Sequence, residues 1–515
     1  MRQRTAGIVL HPTSLPGRFG IGDLGDEAFH FVDFLVEARQ GLWQVLPLGP
    51  TGYGDSPYQC FSAFAGNPNL VSPERLVRDG LLTKRDLAHV PHFPADRVDF
   101  GPVIDSKKAL LTQAYRQFRA GNTGELVAPF AQFCAENASW LDVYAVFQAL
   151  KDARDGARWD TWEPDLAACN VDAVARAAQT LGDRVDAIKF AQFLFFRQWF
   201  ELKAYANAKG VRILGDAPIF VAFDSADVWA NRPLFKMDAA GQPTVVAGVP
   251  PDYFSKTGQL WGNPLYDWDR MRETNYVWWI ERIRASLGLF DLVRLDHFRG
   301  FAACWEVPAT DETAIGGTWV DVPGQEMFDA CFAALGNLSI VAEDLGVITP
   351  DVDALRNRYG FPGMHVLQFA FSTDGTNTHL PHNYVPNSVC YTGTHDNDTT
   401  VGWFRAHKTG ASGKERAYLR RYLNTYGVDI SWDFIRAAYA SVSDIAIAPM
   451  QDILGLGTDA RMNRPSSASG NWDWRLPPRS LGTSLRRRLA RLAEDTGRAA
   501  SSTEDVAEPS VTPSS

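Results

Sequence analysis

The stretch DLVRLDHFRG, residues 291–300, decides the fold, because it is a short apolar run that ends in charged residues. Such a run is typical of a buried strand in a parallel sheet, and α/β barrels place their functional residues at the carboxyl ends of such strands. Strand side chains alternate, so Arg294 and Asp296 share one face, while Val293 and Leu295 point towards flanking helices. An arginine beside Asp296 favours its ionised form.

Runs of the same kind recur along the chain. Eight of them cover residues 7–11, 43–48, 212–220, 289–297, 338–344, 364–371, 388–396 and 444–452. Several are followed by helical periodicity; in residues 26–40, Ala28, Val32, Leu35 and Val36 form one apolar stripe. Strands that alternate with helices predict parallel βα units, and eight such units predict an α/β protein with a (β/α)8 TIM barrel.

The length predicts large insertions at the carboxyl-terminal face of the strands, because such a barrel needs only about 250 residues and the chain has 515. Helical periodicity at 105–120, 130–150 and 184–208 predicts an α-rich insertion, and the Pro, Gly, Tyr and Trp of 220–289 favour ordered loops. The predicted organisation is a barrel start with the first two strands in 1–48, a mostly α-helical insertion subdomain in 49–210, the remainder of the barrel in 211–498 with inserted loops at 221–288 and 455–475, and a disordered tail in 499–515.

Charge and cysteine content exclude several classes of function. Fifty basic and sixty acidic residues leave a net charge of −10, which disfavours nucleic acid and membrane surfaces as partners. The six cysteines form no CxxC pair, so neither a zinc cage nor a disulfide scaffold is indicated, and a reducing cytoplasm fits best. We find no apolar run long enough for a membrane span or a secretory signal.

Aromatic residues make up 12% of the chain. Trp and Tyr beside polar residues in loops are typical of platforms for flat, neutral ligands such as sugars. The run at 248–268 concentrates Tyr253, Phe254, Trp261 and Tyr266 without helical or strand periodicity, which favours a substrate platform over core packing.

Three acids stand at predicted strand ends that face the same barrel mouth. These are Asp296, Glu343 in SIVAEDLG (339–346) and Asp396 in CYTGTHDND (390–398). Glu343 has a long reach and apolar neighbours, which predict a raised pKa and a role as general acid. Together with an ionised Asp296 and a third carboxylate beside His395, it suits retaining chemistry at a glycosidic bond. The structural alternative is that these acids cap helices or pair with Arg294 and Arg299.

Other candidate residues carry weaker signals. Asp216 ends the third predicted strand and either holds a sugar hydroxyl or buttresses the site. His379 and His382 are separated by Pro381, so we predict no metal site there. The glycines of 49–58 lack the spacing of a phosphate-binding loop.

Several long motifs, in order, resemble those of one known family. They are HPTSLPGRFGIGDLG (11–25), SPYQCFSAFAGNP (56–68), GDAPIFV (215–221), PPDYFSKTGQLWGNPLY (250–266), VRLDHFRGF (293–301), VAEDLG (341–346), GTHDNDT (393–399), and ARMNRP with GNWDWR (460–475). The chain resembles the amylomaltases, 4-α-glucanotransferases related to the α-amylases, from residue 7 to about 475.

The resemblance implies roles for the residues of these motifs. Asp296 would be the nucleophile, Glu343 the acid/base and Asp396 the transition-state stabiliser. The implied substrate-binding residues are Arg294 and His395 at the cleavage point, Asp216, Tyr58 on the donor side, Tyr253, Gln259, Trp261 and Asn263 in one acceptor-side loop, and Asn463 in another. It also implies that there is no cofactor, no metal and no C-terminal β-domain. The chain departs from the family at Ser466 and Ser467, where the pattern usually reads Gly-Thr, and in its polar tail.

The expected activity is transfer of α-1,4-glucan segments from a donor to the 4-hydroxyl of an acceptor glucan or glucose, through a covalent glycosyl intermediate on Asp296. Expected partners are maltooligosaccharides and other α-1,4-glucans; the oligomeric state is open, and a monomer is consistent with the sequence. A retaining α-glucan hydrolase of the same fold and a catalytically silent glucan-binding protein are the alternatives. A phosphosugar enzyme is disfavoured by the missing phosphate loop and the net acidity.

Overall fold

The computed structural model describes residues 4–121, 123–251, 255–372, 374–407, 410–465, 467 and 469–500. The strands in these ranges are β1 (Thr5–Val9), β2 (Leu42–Gln44), β3 (Arg212–Ala217), β4 (Val245–Val249), β5 (Gln259–Pro264), β6 (Leu292–Leu295), β7 (Ala303–Pro308), β8 (Thr318–Asp321), β9 (Ile340–Ala342), β10 (Gly363–Val366), β11 (Ser388–Tyr391) and β12 (Ile445–Pro449).

Eight strands form a barrel in the order β10-β11-β12-β1-β2-β3-β6-β9, and the paired neighbours run parallel. The two ends approach where the backbone N–H of Ala342 donates to the carbonyl of Pro362 at 2.9 Å. The predicted (β/α)8 fold is confirmed, and each predicted apolar run overlaps one barrel strand. Each run extends past the carboxyl end of its strand, because its polar end lies beyond the last ladder pair.

Helices surround the barrel and fill its insertions. They are α1 (Asp26–Glu37), α2 (Pro73–Arg78), α3 (Phe100–Arg119), α4 (Val127–Glu136), α5 (Ala138–Asp152), α6 (Pro164–Ala167), α7 (Val171–Thr180), α8 (Gly182–Ala208), α9 (Ala226–Ala230), α10 (Trp268–Glu273), α11 (Val277–Leu289), α12 (Gly324–Leu335), α13 (Pro350–Arg358), α14 (Thr400–Ala406), α15 (Gly410–Tyr422), α16 (Ile430–Ala440), α17 (Met450–Ile453) and α18 (Thr483–Asp495). Among the described residues, no helix is both long and apolar enough to cross a membrane.

The helical periodicity of residues 130–150 belongs to two helices rather than one. The break lies at Asn137, between α4 and α5. The side chain of Asn137 donates to the carbonyl of Phe133 at 2.9 Å and accepts from the indole of Trp140 at 3.1 Å. A short amide side chain that bonds its own backbone competes with the helix, and periodicity alone does not show this.

A second sheet was not predicted from the sequence. It is antiparallel, in the order β5-β4-β7-β8, and joins two strands of the 221–288 insertion to two strands that follow β6. The expectation of ordered loops in 220–289 was therefore incomplete, because β4 and β5 lie in this insertion and β4 pairs with β7, about 60 positions further along the chain. Within the part of the chain described after Pro449 there is no further strand, as expected for a barrel without a C-terminal β-domain.

The sheet register places the first polar residues of the site side by side. In the β3–β6 ladder Asp216 is opposite Arg294, and in the β6–β9 ladder Arg294 is opposite Val341. Both Asp216 and Arg294 are buried, although they are ionisable. Burial of that kind requires paired charges, and the pairing lies at the carboxyl end of the barrel.

Candidate active site

The three predicted acids all lie just beyond the carboxyl ends of barrel strands. Asp296 directly follows β6, and Glu343 directly follows β9. Asp396 is further from its strand, because β11 already ends at Tyr391. Because the barrel strands are parallel, all three residues reach the same face of the molecule.

Asp296 is held by Arg294 at the base of the site. Arg294 Nη2 donates to Asp296 Oδ1 at 2.6 Å, and Nη1 donates to Asp216 Oδ2 at 2.7 Å. The Arg294 side chain is 4% exposed and that of Asp216 is 0%, whereas that of Asp296 is 29% exposed. Burial opposes the charge of Arg294, but Asp216 and Asp296 raise its pKa well above the usual value. Arg294 is therefore a fixed cation that leaves one edge of Asp296 open to the cleft.

Tyr58, from the first insertion, covers this buried pair. Its hydroxyl donates to Asp216 Oδ2 at 2.8 Å, and its ring stacks on the imidazole of His395 with 5.1 Å between centroids. Asp216 thus lies beneath Tyr58 and Arg294, with no exposed side-chain surface. Of the two roles considered for Asp216, the placement favours the buttress.

The carboxyl of Glu343 accepts hydrogen bonds from two backbone N–H groups and lies near the charge of Asp296. The N–H of His297 donates to Oε2 at 2.7 Å and the N–H of Leu345 donates to Oε1 at 2.9 Å. Burial raises the pKa of Glu343 to about 8, and the negative charge of Asp296 adds to this, against the opposing effects of Arg294 and the two N–H groups. The direction agrees with the raised pKa predicted from the sequence, and this environment favours the protonated form of Glu343.

His297 aims its N–H at Glu343 because its backbone is left-handed, with φ 51° and ψ 52°. Its imidazole meets the indole of Trp261 edge-on, with 4.8 Å between ring centroids. Burial lowers the pKa of His297 to about 4, so the ring is neutral. One residue therefore contacts both the acid of the site and the 221–288 insertion.

Asp396 has different partners, supplied mainly by loops. His395 Nε2 lies 3.3 Å from Asp396 Oδ2, and Asn463 Nδ2 donates to Oδ1 at 2.6 Å. Burial alone would raise the pKa of Asp396, but the charge and hydrogen bond of His395 and the amide of Asn463 hold it well below the usual range. The same pairing raises the pKa of His395 despite its burial. Asp396 is ionised, and its side chain is 44% exposed.

Two of the three acids, Asp296 and Asp396, border an open cleft of about 1860 Å³. The predicted site residues that line it are Tyr58, Gln259, Trp261, Asn263, Asp296, His395, Asp396 and Asn463. Arg294, Asp216 and Glu343 are not among the residues that line it, and Tyr253 lies outside the described residues. Most of the sequence motifs therefore converge on one cavity, from the barrel and from all three inserted regions.

Only some of the aromatic residues predicted to form a substrate platform in 248–268 lie where a platform requires them. Trp261 lines the cleft, and its indole N–H donates to Gln259 Oε1 at 3.2 Å. Tyr266 instead is 1% exposed and donates to the carbonyl of Ile219 at 2.8 Å, so its placement on the platform was wrong. Residues 263–266, at and directly after the end of β5, are all buried. Phe254 lies outside the described residues.

Two residues of the cleft were missed in the sequence, Trp472 and His297. Trp472 lines the cleft, with its ring centroid 5.7 Å from that of Tyr58 and 5.9 Å from that of His395. The sequence could have indicated Trp472, since a Trp in the Gly- and Asn-rich segment GNWDWR follows the same pattern as Trp261. His297 had no comparable signal, because its role depends on a backbone angle.

The unusual Ser466–Ser467 pair lies partly outside the described residues, at Ser466. Ser467 lines the cleft; its N–H donates to the carbonyl of Arg464 at 3.0 Å and its hydroxyl to that of Ser469 at 2.9 Å. Among the described side chains there is no group of three or more His, Cys, Asp or Glu residues suited to a metal ion.

The mouth of the TIM barrel holds an arginine-bound carboxylate, a protonated carboxyl and a second ionised carboxylate, with aromatic rings around them. This arrangement defines a carbohydrate-active barrel enzyme. The sequence model of glycoside hydrolase family 77, described as "4-alpha-glucanotransferase", matches residues 10–481. The chain belongs to this family and is a 4-alpha-glucanotransferase.

Individual relatives are similar over almost the whole chain. A 4-alpha-glucanotransferase of Synechocystis sp. is 52% identical over 96% of this chain and 98% of its own length, and one of Thermus thermophilus is 50% identical over 96% and 99%. Among solved structures, the amylomaltase of Streptococcus agalactiae in complex with acarbose superposes with a TM-score of 0.93 at 38% identity, covering 96% of this chain and 100% of that one.

Proposed function

We propose that the chain transfers α-1,4-glucan segments by a retaining double displacement, with a covalent glycosyl ester on Asp296. In the first step Glu343 protonates the leaving glycosidic oxygen while Asp296 attacks C1 of the sugar. Asp396 remains ionised and stabilises the positive charge that develops on the sugar ring. In the second step the 4-hydroxyl of an acceptor glucan or glucose attacks C1 and releases Asp296.

The observation that carries this proposal is the contrast between the environments of Asp296 and Glu343. Arg294 Nη2 donates to Asp296 Oδ1 at 2.6 Å and orients the nucleophile, whereas burial and the charge of Asp296 favour a protonated Glu343. Esterification removes the charge of Asp296. The pKa of Glu343 then falls, so that Glu343 becomes the base that takes the proton of the acceptor hydroxyl.

Transfer rather than hydrolysis requires that a sugar hydroxyl reach the ester before water does. Trp261, Gln259 and Asn463 line the side of the cleft supplied by the two inserted loops. Stacking of an incoming sugar on Trp261, with its hydroxyls on Gln259 and Asn463, would place the acceptor and displace water. Tyr58 and His395 would bind the sugar at the cleavage point.

Incubation with maltotriose tests the proposal. We expect a ladder of longer maltooligosaccharides together with glucose, and NMR of the first products should show retained α configuration. Maltose and glucose without longer products would instead indicate a hydrolase. Binding of maltooligosaccharides without any turnover would indicate a silent glucan-binding protein.

We also propose that the substrates are soluble maltooligosaccharides and other α-1,4-glucans of glycogen, starch or maltodextrin metabolism, and that the enzyme works in the cytoplasm without metal or cofactor; the oligomeric state is open, and a monomer is consistent with the sequence. The net charge of −10 supports the absence of nucleic-acid and membrane partners. The six cysteines are free, which agrees with a reducing compartment. Light scattering of the purified chain, with and without maltotriose, tests the monomer, and activity in the presence of a chelator tests the independence from metal.

A further inference from the structure

Arg461 joins the loop that follows β12 to the loop that carries Asp396. Its Nη2 donates to the backbone carbonyl of Asp396 at 2.6 Å, and its Nε donates to the backbone carbonyl of Asn463 at 2.6 Å. The side chains of these same two residues meet 2.6 Å apart, Asn463 Nδ2 to Asp396 Oδ1. The guanidinium of Arg461 thus bonds the backbones of two residues whose side chains must stay within hydrogen-bond distance of each other.

The need for such a tie follows from the position of Asp396 in the chain. Asp296 and Glu343 directly follow their strands, but Asp396 comes five residues after Tyr391, the last residue of β11. A loop residue at that distance takes its position from its contacts rather than from the sheet. The N–H of Asn463 donates to the carbonyl of His395 at 3.1 Å, which adds to the bonds of Arg461.

Arg461 itself is set back from the substrate cleft. Asn463 and Arg464 line the cleft, whereas Arg461 lines a smaller cavity of about 440 Å³ beside His11 and His395. Any effect of Arg461 on the reaction therefore passes through Asp396 and Asn463.

We propose that Arg461 is a positioning residue that holds the carboxylate of Asp396 and the amide of Asn463 in one geometry, so that the loop after β12 and the catalytic loop act as a unit. The proposal rests on the proposed function, in which Asp396 stabilises the transition state. The planar fork of a guanidinium can hold two carbonyls at fixed angles, which the single ammonium of lysine cannot do.

The test compares Arg461→Met and Arg461→Lys in maltotriose disproportionation. Misplacement of Asp396 weakens a contact made in the transition state, so we expect Arg461→Met to lower kcat roughly ten- to hundredfold at unchanged KM. Arg461→Lys should recover part of this loss. Because Arg461 acts through Asn463, the double variant Arg461→Met/Asn463→Ala should lose less than the product of the two single losses.

Arg232→Met is the matched control, since Arg232 is also a partly exposed arginine that donates to a backbone carbonyl, that of Ala168. It should leave kcat per folded molecule unchanged. Wild-type kcat in Arg461→Met would overturn the proposal, as would fully multiplicative losses in the double variant. If Arg461→Met does not fold, Arg461→Lys carries the test, and a wild-type kcat there overturns it.

Asp396→Ala, measured in parallel, separates this inference from the proposed function. If Asp396→Ala retains turnover, the proposed function itself is wrong. If Asp396→Ala abolishes turnover while Arg461→Met does not reduce it, only the positioning role of Arg461 fails.

Discussion

The barrel holds two of the acids, and a loop holds the third. Asp296 and Glu343 directly follow β6 and β9 and are bound by Arg294 of β6 and by backbone N–H groups. Asp396 lies beyond its strand and is bound by the side chains of His395 and Asn463. Residues fixed by a sheet are positioned by backbone geometry, whereas residues fixed by side chains depend on those individual side chains. Substitutions at the two kinds of site should therefore differ in their effects.

Loss of a barrel-held acid should have the largest effect. Asp296→Ala removes the proposed nucleophile, so we expect maltotriose turnover to fall by roughly four orders of magnitude or more. Oligosaccharide binding, followed by the fluorescence of Trp261 and Trp472 in the cleft, should persist. Substantial remaining turnover would move the nucleophile to another residue.

Glu343→Gln should lower turnover by roughly 10² to 10⁴, because it removes the acid that protonates the leaving group. In the unmodified enzyme the acid must be protonated, and its pKa is about 8, so kcat/KM should decline as the pH rises through that value. The Gln variant should lack this alkaline decline. An α-maltotriosyl fluoride donor, whose leaving group needs less protonation, should restore formation of the ester.

A contact of the loop-held acid should matter less than either barrel-held acid. Asn463→Ala removes a hydrogen bond to a carboxylate, for which a loss of ~1.5–3 kcal/mol is typical, or roughly ten- to hundredfold in kcat/KM. Asn387→Ala, at the amino end of β11, is the matched control and should leave the rate unchanged. An unchanged rate in Asn463→Ala would show that the barrel supports Asp396 without the loop.

The smallest effect is expected where the loop contacts only the acceptor. Trp261→Ala should reduce the ratio of transfer to hydrolysis by roughly two- to tenfold, the equivalent of a stacking contact of ~0.5–1.5 kcal/mol. Trp261→Phe retains a ring and should recover most of the ratio. If the ratio of longer oligosaccharides to free glucose does not change, water exclusion depends on other residues.

Much of the barrel and of the site could be predicted from local patterns. Buried strands with polar carboxyl ends showed the eight βα units, and alternation put Arg294 beside Asp296. The antiparallel sheet of β4, β5, β7 and β8 could not be predicted, since its strands are short and pair across a long stretch of chain. The core position of Tyr266 was missed for the same reason, because composition does not show which aromatic residues of an insertion turn inward.

The sequence by itself indicated the barrel, because apolar periodicity and charged strand ends are local properties of the chain, and its long motifs indicated the family and the three candidate acids. Only the tertiary structure showed which groups surround each acid. The raised pKa of Glu343 is due to burial and to the charge of Asp296, and the lowered pKa of Asp396 to His395 and Asn463. The left-handed turn at His297 and the two bonds of Arg461 likewise bring together residues far apart in sequence. Electrostatic interactions act through space, so they become visible only when the chain is folded.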